Sequence, residues 1–123
     1  MTERWHLTDT LTQVEADTIG PLLDERLASG SLTTIVASDQ GRIMMIVANG
    51  ERAMVVLMEQ PGDPGGHAVD PTASGTSGGF ILDNGQVDEY EDRDTVPWDR
   101  AREVARCVIA TGIQPGTGWQ VDR

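Results

Sequence analysis

The sequence predicts an α+β domain: an antiparallel sheet of five or six strands, built as a hairpin meander, with one N-terminal and one C-terminal helix packed on one of its faces. Three observations lead there. Helical periodicity is confined to segments near the two ends, Asn49-Gly50 and Asn84-Gly85 each separate β-rich runs, and no internal repeat is present. At 123 residues the chain is expected to form one domain, 1–123, large enough to close a single core without staples.

The first helix is expected over Thr18 to Ser29. Ile19, Leu22, Leu23 and Leu27 recur at helical spacing, and Asp24, Glu25 and Arg26 lie outside that stripe. Pro21 is tolerated only in the first turn, which places the cap at Asp17 or Thr18, and Gly30 supplies a left-handed stop. Leu11 to Val14 reads equally as a helical turn or an edge strand.

A three-strand meander follows: Leu32 to Ser38, then Ile43 to Ala48, then Ala53 to Met58, with turns at Asp39-Gln40-Gly41 and Asn49-Gly50. The second and third strands are apolar on both faces. They are therefore expected to lie centrally, with one face under helices and the other partly covered or awaiting a partner. Glu59 to Gly79 is rich in Gly, Pro, Ser and Thr and reads as a long loop with a short strand at His67 to Asp70. A second hairpin joins Phe80-Ile81-Leu82 to Gln86 through Tyr90, and an acidic loop, Glu91 to Asp94, comes next.

The last helix opens at Pro97, carries Asp99 near its positive end and stops at Gly112. Ala101, Val104, Ala105 and Val108 form its apolar stripe, which Trp98 and Ile109 extend. The tail ends on Trp119, expected to dock back on the body.

Charge is the dominant global property. The net charge is −11, with 20 acidic residues against nine basic ones, every one of which is Arg. Such a surface repels nucleic-acid phosphates and anionic membranes and favours basic partners. One cysteine, Cys107, excludes an intramolecular disulfide, and its place beside the apolar stripe reads as a small buried hydrophobe. The first residues lack the basic start and apolar stretch of a signal peptide, and no apolar run approaches the roughly 18 residues of a membrane span. A soluble, cytoplasmic protein is expected.

No catalytic or cofactor site emerges. His6 and His67 are the only histidines, and His67-x-x-Asp70 is expected to point its two ligands to opposite faces, so no metal site is assigned. Cys107 has no nearby His, and Ser74 and Ser77 lack a hydrolase elbow. The glycine-rich stretches have no Lys to complete a phosphate loop. What remains is a cluster of carboxylates: Asp83, Asp88, Glu89, Glu91, Asp92 and Asp94. It reads either as a solvated hairpin rim or as a patch that docks into a basic cleft, with Tyr90 and Trp98 as aromatic anchors.

From about Ile43 to Trp119 the chain resembles immunity protein family 1 of bacterial polymorphic toxin systems. The resemblance is carried by the hairpin Ile43 to Leu57, the segment Phe80-Ile81-Leu82-Asp83-Asn84-Gly85-Gln86-Val87, and Thr95-Val96-Pro97 opening an Ala101-bearing helix. Thr111-Gly112-x-x-Pro115 running to Trp119 completes it. Each piece is only moderately specific; their order and spacing carry the match. The resemblance implies an immunity protein without catalysis of its own, which binds a cognate toxin one to one, often a nucleic-acid (cytosine) deaminase, and occludes its active site. Partner contacts are then expected at Asp88, Glu89, Tyr90, Glu91, Asp92, Asp94 and Trp98 and in the Glu59–Gly79 loop. The rival reading is a small-molecule-binding or enzyme module that uses the Glu59–Gly79 loop as a lid.

Overall fold

The computed structural model describes residues 3–82 and 84–122. Its architecture is α+β. The strands are β1 (Trp5–Leu7), β2 (Gln13–Val14), β3 (Thr33–Ser38), β4 (Ile43–Ala48), β5 (Arg52–Met58), β6 (Gly66–Ala68), β7 (Thr76–Ile81), β8 (Val87–Glu91), β9 (Val96–Pro97) and β10 (Trp119–Val121). The helices are α1 (Ile19–Ala28) and α2 (Trp98–Thr111). Eight strands form one antiparallel sheet in the order β10-β6-β5-β4-β3-β1-β2, with β9 also pairing β5, and β7 and β8 form a separate hairpin. The sheet is thus wider than the meander expected from the sequence. The added strands are only two or three residues long, too short to show a period of two.

Register assigns the two faces of the sheet. Val36, Met44 and Leu57 lie in one cross-strand row, and Thr34, Ile46 and Val55 in the next. These rows face α2, whose Ala101, Val104, Ala105 and Val108 are fully buried. The second helix lies over β4 and β5, while α1 packs chiefly beside it, burying Ile19 and Leu23. Trp5 and Leu7 of β1 close the same core.

Helix ends follow the chemistry of their residues. Pro21 sits in the first turn of α1, and Thr18 holds the N-cap position, but its hydroxyl accepts from the Glu15 N–H instead of capping the helix. At the other end Gly30, at φ +89°, lets Gly30 N–H donate to Leu27 and Ser31 N–H donate to Arg26, the paired bonds of a Schellman stop. Gly112 ends α2 at φ +74°. The Arg42 guanidinium donates to the Gly112 carbonyl at 2.7 Å, placing positive charge at the negative end of the helix.

The Asn49-Gly50 turn works differently from a two-residue turn with both residues left-handed. Gly50 alone has a positive φ, while the Asn49 carboxamide oxygen accepts from the N–H groups of Glu51 and Arg52. Pro97 stands one position before α2, as its cap, and pairs with Arg52 across β9 and β5.

The expected loop from Glu59 to Gly79 is largely tied down. Its strand β6 pairs with β5 and β10, Val69 N–H donates to Gly118, and Asp70 N–H donates to Arg93. From Thr76 onward it is strand β7. Leu11 to Val14 contributes an edge strand at Gln13–Val14, settling the earlier ambiguity in favour of sheet.

The C-terminal strand closes against a glycine. A Cβ on Gly66 would stand 2.5 Å from the Trp119 indole nitrogen and 2.8 Å from the Gln120 carbonyl. Gly66→Ala should therefore destabilise the fold by about 1–3 kcal/mol through overpacking. A urea titration followed by tryptophan fluorescence checks this, and an unshifted midpoint would show that β10 is not seated against β6 as described.

Candidate functional site

The face of the sheet turned away from the helices carries Ile35, Ala37, Ile43, Met45, Val47, Met54, Val56 and Met58 at alternating positions. One end is roofed by the β7–β8 hairpin. Thr33 Oγ1 donates to the Ile81 carbonyl at 2.6 Å, and Asn49 Nδ2 donates to the Gly78 carbonyl at 3.0 Å. Phe80 and Val47 are fully buried, and Phe80 meets Tyr90 at 4.9 Å between ring centroids, tilted by 53°. Beyond this roof the other residues of the face are only half-buried.

The acidic segment splits into outward and inward members. Along β8, Val87, Glu89 and Glu91 are exposed, while Asp88 and Tyr90 alternate toward the body. The Tyr90 hydroxyl donates to Asp88 at 3.0 Å. Burial, with the Asp88 hydrogen bond and charge beside it, pushes the phenol up to about 12, so it stays a protonated donor at neutral pH.

Asp92 accepts from the Ser77 hydroxyl, and its carbonyl accepts from Arg52 and from the Thr95 hydroxyl. Arg52 also donates to Thr95 Oγ1, the Thr95 carbonyl and Asp70, the last at 2.8 Å. Hydrogen bonds from Arg52 and from Thr72 hold the Asp70 carboxyl below its ordinary range. Asp83, counted in the sequence with the acidic cluster, lies outside the described residues.

Trp98 sits elsewhere. Its indole N–H donates to Asp24 of α1 at 2.8 Å and its ring packs on the helical core, so the structure does not join it to the hairpin rim. It reads as a strut between the helices. Cys107 is half-buried, with its thiol facing the Ile113 carbonyl at 3.7 Å.

Sequence reasoning missed the cluster around His67. His67 Nδ1 lies 2.7 Å from an Asp122 oxygen and Nε2 lies 3.0 Å from an Asp94 oxygen. The imidazole thus ties the acidic loop to the chain end beyond β10. The signal was out of reach because the three residues are separated by 27 and 55 positions. Asp70 turns to Arg52. Among the described residues no group of three or more His, Cys, Asp or Glu side chains is arranged so that it could hold a metal ion.

This arrangement has a definite chemical consequence. A general base keeps one imidazole nitrogen for its substrate while the other is oriented by a partner. Both nitrogens of His67 are occupied by carboxylates, so the ring serves as a cationic bridge. Burial lowers its proton affinity, but the hydrogen bonds and charges of Asp122 and Asp94 outweigh this and hold it raised above 6.5. Beside the bridge lies a cavity of about 370 Å³, lined by Met54, Val56, Pro64, Arg93 and Gln120 together with His67 and its two aspartates. An apolar floor meets there a wall in which two carboxylates stand with the imidazole and Arg93.

No family model matches the chain, and no curated protein matches it significantly.

The His67 bridge makes stability depend on pH with a definite sign. A group whose folded value is raised stabilises the fold fully below its unfolded value, here 6.5, and loses that contribution as pH rises through the folded value. The stability difference between wild type and His67→Gln should therefore be largest below pH 6.5 and shrink as pH rises above it. Paired urea titrations check this; a difference that stays constant with pH would remove the charged bridge.

Proposed function

We propose that this chain is an immunity-type binding protein that captures a basic toxin domain and occludes its active site. The observation that carries the reading is the β8 strand. It presents Glu89 and Glu91 outward from a pinned hairpin, on a chain whose net charge is −11. A negative field focused on a fixed edge accelerates encounter with a positive cleft and orients it. The hairpin is held by Thr33, Asn49 and, through Asp92, by Arg52, so its docking costs little ordering entropy.

The resemblance carried by Phe80 to Val87 and by Thr95 to Trp119 supports the choice of a toxin as partner, and of a nucleic-acid deaminase among toxins. Enzymes of that class receive a single-stranded or flipped base through a positively charged mouth, and an acidic hairpin seated there blocks entry. The place of action on this reading is the cytoplasm, where the nucleic acid is. No helix among the described residues is long and apolar enough to cross a membrane.

The structure narrows the test. Asp88, Asp92 and Asp94 have internal hydrogen-bond partners, whereas Glu89 and Glu91 are exposed. The double variant Glu89→Arg/Glu91→Arg should bind the product of the adjacent gene with an association rate lower by about tenfold at low salt. The salt dependence of that rate should flatten, and the dissociation rate should change little. Stopped-flow association against wild type, with an activity assay of the partner, measures both. Unchanged association and salt slope would take the hairpin edge out of the interface, and absence of wild-type binding would remove the immunity reading.

A further inference from the structure

The outer face of the sheet is apolar where an antiparallel sheet open to water alternates to polar residues. Register makes the patch continuous: Ile35, Met45 and Val56 form one cross-strand row, and Ala37, Ile43 and Met58 form the next. All six are half-buried, so they are neither sealed into a core nor scattered singly over the surface. Met45, Met54 and Met58 supply three flexible, polarizable side chains, the kind that reshape to fit a partner.

Charge identifies what covers this face. On one side stands the hairpin with Glu89 and Glu91. On another, the cavity floored by Met54 and Val56 is walled by Asp94 and Asp122, which His67 bridges, and by Arg93, so its charges are balanced within the chain and leave the hairpin edge as the negative rim. A second copy of the chain would bring two such acidic hairpin edges together, each on a molecule of net charge −11. A partner with an apolar centre and a basic rim meets no such repulsion. Its basic rim would lie along the exposed Glu89 and Glu91, with its apolar centre on the methionine-rich face.

We propose that this outer sheet face, from Ile35 across Met45 to Val56, is the centre of the interface with a basic protein partner, and that the acidic hairpin is its steering rim. The inference rests on the binding role proposed above and adds to it where the affinity resides. Steering charges set the association rate, whereas buried apolar anchors set the dissociation rate.

The test uses the whole protein with its methionine methyl groups labelled, titrated with the product of the adjacent gene and followed by NMR. Met45, Met54 and Met58 should shift or broaden on binding, while Met44, fully buried on the helix side, stays in place as an internal control. The variant Met45→Thr/Val56→Thr keeps strand-forming residues at both positions. It should retain the wild-type circular dichroism spectrum and lose affinity by at least about tenfold through faster dissociation. The single variant Met58→Gln should lose affinity in the same direction and provides a second reading should the double variant fold poorly.

Wild-type binding with unmoved methionine signals and undiminished affinity in these variants would overturn the sheet-face assignment while leaving the binding role intact. Absence of wild-type binding would overturn both. A wild-type dimer in sedimentation that the Met45→Thr/Val56→Thr change dissociates would overturn the basic partner in favour of a second copy.

Discussion

Arg52 is the residue on which the outer half of this molecule depends. Its guanidinium reaches Thr95 Oγ1, the Thr95 carbonyl, the Asp92 carbonyl and Asp70. Each of those partners belongs to a segment with no extensive core of its own. The 3₁₀ turn Asp92–Asp94 buries none of its residues, and Asp70 lies between β6 and β7. A carboxylate-rich segment left to itself extends and repels the rest of an acidic chain. One planar donor with a rigid fork, anchored in central strand β5, supplies fixed positive charge and directional bonds together. Lys would offer a point charge on a flexible stem and could not match two carbonyls, a hydroxyl and a carboxylate at once.

The same economy recurs along the acidic surface. Arg42 joins Glu3, Glu59 and the carbonyl end of α2, and lies 5.8 Å from the Trp5 ring centre. His67 joins Asp94 and Asp122. In each case a single cation bridges segments distant in sequence and neutralises carboxylates that would otherwise repel. The fold thus tolerates a large negative excess by placing its few cations at junctions. Carboxylates beyond those junctions, such as Glu89 and Glu91, are left to act on whatever approaches.

How far this was legible in the sequence divides along the same line. Elements with a sustained period were readable: α2 from Ala101, Val104, Ala105 and Val108, and β4 and β5 from runs apolar on both faces. The two-sided run also implied a second, incompletely covered sheet face, which the register displays. The short strands Trp5–Leu7 and Trp119–Val121 were not readable, because each has too few residues to show a period and pairs with a strand far away in the chain. For the same reason the bridge from His67 to Asp94 and Asp122 was invisible, since only the order β10-β6-β5 brings the three together. Composition correctly marked the acidic stretch but could not sort it. Glu89 and Glu91 face water, whereas Asp88, Asp92 and Asp94 are partly committed to Tyr90, Ser77 and His67. That difference comes from strand alternation and from partners over a dozen residues away. Trp98 is adjacent to the acidic loop in sequence, but the start of α2 turns its indole N–H to Asp24.

The two surfaces proposed for binding divide the work that affinity requires. Exposed charge acts over about a Debye length, ~8 Å at physiological ionic strength, and so governs approach more than retention. An apolar sheet face has no reach, but once covered it removes methionine and isoleucine surface from water at roughly 25 cal/mol per Å². The hairpin connects the two functions physically. Phe80 and Tyr90 pack together within it, Thr33 and Asn49 hold it at one end of the face, and the outward side of β8 carries Glu89 and Glu91. On the proposed reading, a partner drawn to the rim would meet the edge of the apolar patch. Because Thr33, Asn49 and Arg52 already hold that rim against the sheet, little of the encounter energy is spent on ordering it.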